Sequence, residues 1–193
     1  SATESIILHQ LVLCYSLFFH CQPQLIIYNH ADTSSHIFFM VNSDNINWSL
    51  PLNKVAQNKM AVNDLTSHIL KGWNVQNIEI IGWASPEGAI KYNTDLSQKR
   101  ANMTEDFLKK RLTSLSSQNN KSISYKNVND IKFITKGNGP DWDGLMSAIK
   151  ESTLKDKEVI INTLKNQTPE QRVAQLSKYI KQYPEFEKNI LPA

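Results

Sequence analysis

The chain has 193 residues, of which 40% are hydrophobic, 9% aromatic and 20% charged, and its formal net charge is +3. This composition fits one domain with a buried core and excludes collagen, coiled coils and wholesale disorder. The positive charge is too small and too dispersed for a typical nucleic-acid reader. The first 80 residues carry net negative charge and the remainder net positive charge, so we expect an anionic partner to meet the second part.

The N-terminal segment, residues 1–35, supports two interpretations. Its apolar run from Ile6 to Phe19 is shorter than the roughly 20 residues that a membrane span requires. The run has the length of the apolar part of a secretion signal, in which case Cys21 would become the lipidated first residue. The same content of Leu, Val, Ile, Tyr and Phe is also typical of one or two buried strands.

The middle segment, residues 36–140, alternates strand and helix signals. Short apolar runs bounded by polar turns predict strands, and apolar residues at helical spacing predict the helices between them. The predicted elements are a strand over 36–42, a helix over 52–73, a strand over 76–83, a helix over 93–112 and a strand over 131–135. The glycines in Lys136-Gly137-Asn138-Gly139-Pro140 indicate a turn after the last of these strands.

The last segment, residues 141–193, is predicted to be mainly helical. Amphipathic spacing marks helices over 142–150, 156–165 and 170–182, and Thr168-Pro169-Glu170 is a helix-start signal. Their apolar faces need a surface to cover, so we expect this extension to pack on the preceding core. The sequence therefore predicts an α+β fold: a small mixed sheet covered by helices, followed by a C-terminal helical extension.

Residues 78–101, IEIIGWASPEGAIKYNTDLSQKRA, carry the most chemical information. They read as a strand, a tight turn, a polar loop and the start of a helix, which Asn93 or Asp95 can cap. A helix start offers free amide groups and positive potential, which suit an anion. Arg100 lies slightly more than one turn further and adds a planar, bidentate donor for a carboxylate.

This stretch resembles the OmpA-like domain, the peptidoglycan-associating module of Gram-negative envelopes. The family pattern is G-[YFHW]-[TA]-D after a strand, a Gly three residues on, and then Y-N-x-x-L-S-x-x-R-A. The residues that match it without a gap are Gly82, Trp83, Ala84, Gly88, Tyr92, Asn93, Leu96, Ser97, Arg100 and Ala101. The resemblance covers about residues 36–140 and implies a βαβαβ core in a protein of the periplasm or outer membrane.

The sequence departs from the pattern at one position that matters for binding. In the family, an Asp binds the ammonium group of diaminopimelate in the peptide stem and the helix Arg binds its carboxylate, but Ser85 occupies the Asp position here. A hydroxyl lacks the charge, and a charged hydrogen bond is worth about 1.5–3 kcal/mol. The resulting ASPEG turn resembles a subgroup of outer-membrane OmpA-like proteins. The ligand site implied by the resemblance comprises Ser85, Glu87, Asn93, Ser97 and Arg100, with Glu87 as a substitute carboxylate.

Nothing in the sequence indicates an enzyme. There is no recognisable nucleophilic triad, no histidine spacing typical of a metal site and no glycine-rich phosphate loop, so we expect no cofactor. Two functions stay open. One is association with peptidoglycan that anchors the outer membrane. The other is an outer-membrane assembly or interaction protein whose core has lost peptidoglycan binding and whose extension docks an envelope partner. Either could associate with the outer membrane through the N-terminus.

Overall fold

A computed structural model describes residues 5–14, 25–28, 37–40, 42–54, 66–67, 69–72, 74–118, 123–186 and 190. The strands are β1 (Ser5–Cys14), β2 (Leu25–Tyr28), β3 (Ile37–Phe39), β4 (Asn74–Ala84) and β5 (Lys132–Pro140). The helices are α1 (Pro51–Lys54), α2 (Ile90–Ser116), α3 (Trp142–Glu151), α4 (Lys157–Lys165) and α5 (Pro169–Gln182).

The strands form one mixed sheet in the order β2–β1–β4–β5, and β3 also pairs with β1. β1 runs parallel to β3 and β4, β4 runs parallel to β5, and β2 is antiparallel to β1. The protein is therefore α+β with a mixed sheet, as predicted. Because β1 is an inner strand, part of the N-terminal segment belongs to the same sheet as β4 and β5. Cys21 lies outside the described residues, so its lipidation stays a prediction.

Two hydrophobic cores lie on opposite sides of this sheet. The first contains Ile78 and Ile80 of β4 together with Leu108 and Leu112 of α2. The second is built by α3, α4 and α5, and it includes Phe38 from β3. Successive side chains of a strand point to opposite faces, so Phe38 reaches the second core while its two neighbours in β3 join the first. Phe38 of β3 and the partly buried Trp83 of β4 thus contact the core of the helical extension.

The ends of the helices in the extension follow from their capping residues. Thr168 and Gln171 form a reciprocal capping box, and Pro169 occupies the first turn of α5. The side chain of Asp141 accepts a hydrogen bond from the backbone N–H of Gly144 at the start of α3. The three predicted helices of the extension are confirmed to within one residue at either end.

Three predicted elements differ from the structure or lie partly outside it. The turn expected at residues 136–140 is the second half of β5. α2 begins at Ile90, earlier than expected, and extends to Ser116. Of the helix expected over 52–73, the backbone is helical at 51–54, 66–67 and 69–70, and residues 55–65 lie outside the described residues.

Candidate functional site

The residues of the OmpA-like pattern meet where β4 and β5 end and α2 begins. The loop of residues 85–89 connects β4 to α2, and Pro86 within it is buried. The backbone N–H of Asp141 donates to the carbonyl oxygen of Ala84 at 2.9 Å, which ties the ends of the two strands together. Ligands of parallel sheets bind at such carboxyl ends, so the sequence places its candidate residues where a site can form.

Helix α2 packs against the sheet at two glycines, Gly82 of β4 and Gly137 of β5, which are register partners on neighbouring strands. A Cβ added to Gly82 would collide with the carbonyl oxygen of Ser97 and lie 3.0 Å from Cβ of Ala101. A Cβ on Gly137 would lie 2.6 Å from Oγ of Ser97. Three matched positions of the family pattern, Gly82, Ser97 and Ala101, are therefore explained by close packing of helix on sheet, and so is Gly137 of β5.

Ser97 is fully buried at this crossing, with 0% of its surface exposed. Its hydroxyl donates to the carbonyl oxygen of Thr94 at 2.7 Å and accepts the backbone N–H of Gly139 at 2.9 Å. The single hydroxyl proton is already used within the helix, and the oxygen binds β5. Ser97 therefore fastens α2 to the sheet rather than facing an open pocket.

Asn93 is also buried, with 4% of its surface exposed. Its Nδ2 donates to the carbonyl oxygen of Glu87 at 2.5 Å, so the side chain braces the loop that precedes the helix. The prediction that Asn93 or Asp95 caps α2 is wrong. The N-cap residue is Ala89, which makes no side-chain capping bond.

Arg100 is the largest fully buried side chain among the described residues, with 0% exposure. Its Nε donates to the carbonyl oxygen of Ser43 at 2.7 Å, Nη2 to that of Met40 at 3.0 Å, and Nη1 to that of Trp83 at 3.4 Å. The guanidinium carbon lies 5.4 Å from the ring centroid of Phe39. Burial lowers the pKa of Arg100 to about 9, so the group remains cationic at neutral pH.

These contacts make Arg100 a link between three parts of the chain. It joins α2 to the end of β4 and to the turn of residues 40–43, where Asn42 adopts a positive φ of 52°. The guanidinium points to that turn and to the carbonyl before the loop, and not into the loop of residues 85–89. Arg100 was expected to receive a ligand carboxylate, whereas the structure gives its donors to backbone carbonyls.

Ser85 and Glu87 lie on the outer side of the same site. Both are half-buried, and Oγ of Ser85 accepts a long hydrogen bond of 3.4 Å from the backbone N–H of Glu87. Burial raises the pKa of the Glu87 carboxyl. Tyr92, in the first turn of α2, is 49% exposed beside this loop. The five predicted site residues therefore divide into two at the loop surface and three in the interior.

Sequence reasoning missed the partners of Arg100, which are main-chain carbonyls in a turn far away along the chain. Trp83 itself lies partly buried against the second core. The signal that could have revealed the helix crossing was the spacing of glycines: one at the end of β4 and one in β5. A glycine in a strand often marks a close backbone approach.

No protein-family model, curated protein or solved structure matches the chain. Over the residues that the structure describes, no group of three or more His, Cys, Asp or Glu side chains could hold a metal ion. Within the same residues, no helix combines the length and the apolar character that crossing a membrane demands.

Proposed function

We propose that this protein is a noncatalytic module of the Gram-negative cell envelope, in the periplasm or at the outer membrane, that acts by association with an envelope protein. In this proposal its OmpA-like core serves as a scaffold and does not grip a peptide stem of peptidoglycan. The observation that carries the proposal is the complete burial of Arg100 with three hydrogen bonds to backbone carbonyls.

A ligand carboxylate would have to compete with those carbonyls. Hydrogen bonds to charged groups are worth about 1.5–3 kcal/mol each, and a carboxylate can replace two of the three at best. The carbonyls displaced from the guanidinium would lose that donor in a part-buried site, which adds a desolvation cost. Exchange of the native partners for a stem-peptide carboxylate is therefore unfavourable.

The other half of the family site is weakened as well. Ser85 replaces the carboxylate that would meet the ligand ammonium, and its hydroxyl already accepts the N–H of Glu87. The Asp position of the family thus carries no charge here, and the guanidinium of Arg100 is bonded to carbonyls outside this loop.

Peptidoglycan association is the second candidate, and one observation favours it. Glu87 places a carboxylate two residues after Ser85, and that carboxylate makes no hydrogen bond to another described residue. It could meet an ammonium group from the outer side of the loop, without any part played by Arg100.

Co-sedimentation of the full chain with purified peptidoglycan sacculi separates the two candidates. We expect the wild type and Ser85→Asp to stay in the supernatant at low salt, because Arg100 remains buried in both. If instead the wild type sediments with the sacculi, salt releases it and Glu87→Gln does not sediment, the second candidate is correct. Lys91→Gln, an exposed change on the same helix, is the matched control.

A further inference from the structure

The geometry points to the outer edge of β5 as a docking strand: an extended acidic segment of a partner protein adds to the sheet along Lys132–Lys136. The inference rests on the proposed function in one respect, that the chain acts through a protein partner. The mode of recognition is strand addition, in which main-chain hydrogen bonds give affinity and alternate side chains give specificity.

β5 is the last strand in the sheet order, and no described strand pairs with its side away from β4. Its second half is closed by α2. The backbone N–H of Gly137 donates to Oε1 of Gln98 at 2.8 Å, and the N–H of Gly139 donates to Oγ of Ser97 at 2.9 Å. Side chains of the helix thus occupy the edge positions that a partner strand would need there.

The first half of the same edge is different. Backbone groups of alternate residues point to the same side of a strand, so Phe133 and Thr135 direct their N–H and C=O groups the way Gly137 does. In the described part of the chain, the backbone N–H and C=O groups of Phe133 and Thr135 make no hydrogen bond to a residue outside the sheet. Two residues therefore offer two donors and two acceptors in the spacing that an added strand requires.

Side chains next to this edge define the chemistry of the partner. On the face opposite α2, β5 presents Lys132, Ile134 and Lys136, of which both lysines are exposed and Ile134 is 39% exposed. On the neighbouring strand this face carries the acidic residue Glu79, which is half-buried and is the register partner of Ile134. On the α2 face, Glu105 is paired with Lys109. The exposed pattern along the edge is cation, apolar, cation.

This pattern disfavours a second copy of the chain as the occupant. An antiparallel pair centred on Ile134 would set Lys132 opposite Lys136, and like charges directly opposite each other are destabilising. A complementary strand carries acidic residues two positions before and two positions after an apolar residue. Opposite charges then face both lysines, and the apolar residue covers Ile134.

Peptide binding to the full chain tests the charge pattern. The probe is the labelled peptide Thr-Glu-Thr-Val-Thr-Glu-Thr, and the control has Lys in place of both Glu residues. By fluorescence anisotropy at low salt we expect the wild type to bind the Glu peptide at least about tenfold more tightly than the Lys peptide. The double variant Lys132→Glu with Lys136→Glu should reverse that preference.

A second pair of variants tests the main-chain contact. Thr135→Pro removes the backbone N–H that points away from β4 and leaves the N–H groups that pair with β4 in place. Both Thr135→Pro and Thr135→Val lose the hydrogen bond from the Thr135 hydroxyl to Glu105, but Thr135→Val keeps the outward N–H. We expect Thr135→Pro to lose about tenfold in affinity for the Glu peptide and Thr135→Val to bind like the wild type.

Three results would overturn the inference: no binding of the Glu peptide by the wild type, equal binding of both peptides, or equal losses in Thr135→Pro and Thr135→Val. Binding to anionic lipid vesicles with no peptide binding would assign the lysines to a membrane surface instead. Failure here leaves the sacculus experiment untouched, because no residue of β5 is varied there. Sedimentation with sacculi would in turn refute the proposed function without affecting peptide binding.

Discussion

The inner and outer parts of one short motif behave differently. Asn93, Ser97 and Arg100 are buried and hydrogen-bonded to backbone of neighbouring segments, while Ser85 and Glu87 are half-buried at the loop surface. All five are polar residues of the loop or of the helix that follows it, which is where the sequence pattern predicts anion binding. The difference teaches that residue type and spacing identify where a strand, a loop and a helix meet. Burial and hydrogen-bond partners are needed to distinguish a residue that stabilises this junction from one that is available to bind a ligand.

Arg100→Met should have the largest effect on the inner part. It removes three hydrogen bonds that a fully buried guanidinium donates, and at about 1.5–3 kcal/mol for a hydrogen bond from a charged group the unfolding free energy should fall by about 3–5 kcal/mol. The matched substitution of an exposed neighbour, Lys99→Met, should change the unfolding free energy by no more than about 0.5 kcal/mol. Urea denaturation followed by circular dichroism measures both. Native stability in Arg100→Met would contradict the bracing role.

Gly82→Ala should rank second, because the new methyl group would collide with the Ser97 carbonyl and drive α2 away from the sheet. Overpacking of this kind costs about 3 kcal/mol. Gly88→Ala in the outer loop meets no atom within 4 Å but has a φ of +85°. It should cost only about 1 kcal/mol, from the left-handed backbone. Equal losses of unfolding free energy in the two variants would show that α2 can move away from the sheet at little cost in free energy.

Ser97→Ala and Ser85→Ala make the same change of residue type in the inner and the outer part of the motif. The first removes the acceptor for the buried N–H of Gly139 and should cost about 1–3 kcal/mol. The second removes a long, half-exposed hydrogen bond and should fall within about 0.5 kcal/mol of the wild type. Thermal unfolding by calorimetry compares them directly. A larger loss in Ser85→Ala would reverse the assignment of inner and outer residues.

Glu87→Gln should have the smallest effect on the unfolding free energy, and that effect should depend on pH. Burial raises the pKa of Glu87 in the folded protein, so the folded state holds this proton more tightly than the unfolded state does. Stability from this group is present below the unfolded pKa of 4.5 and is lost as pH rises through the folded value. Glu87→Gln should therefore match the wild type at pH 3.5 and exceed it slightly at pH 7, by about 0.5 kcal/mol. Denaturation midpoints at the two pH values test this, and a loss at pH 7 would contradict it.

Local sequence signals account for much of the fold. Helices α3, α4 and α5 follow from amphipathic spacing and capping residues, and β4 from an apolar run that ends at a glycine. The second half of β5 was missed because Gly-Asn-Gly-Pro has the composition of a turn. Its glycines are instead required by α2, whose backbone lies against Gly137.

The interior of the site could not be read from the sequence. The acceptors of Arg100 at Met40 and Ser43 are carbonyl oxygens, which every residue type supplies, so no pattern marks them. The position of β1 between β2 and β4 likewise depends on pairing between distant segments. What the motif did predict was that a strand, a loop and a helix start meet at residues 82–101.

The two cores differ in how far apart along the chain their members lie, and this bears on the order of folding. The second core draws all its fully buried members from residues 145–190 except Phe38, so its helices meet after closing only short loops. The sheet must bring Ser5 to Asn74 before β1 and β4 can pair. Contacts between nearby residues form faster than distant ones. We expect the helical extension to collapse first and to offer Phe38 a surface on which the sheet then assembles.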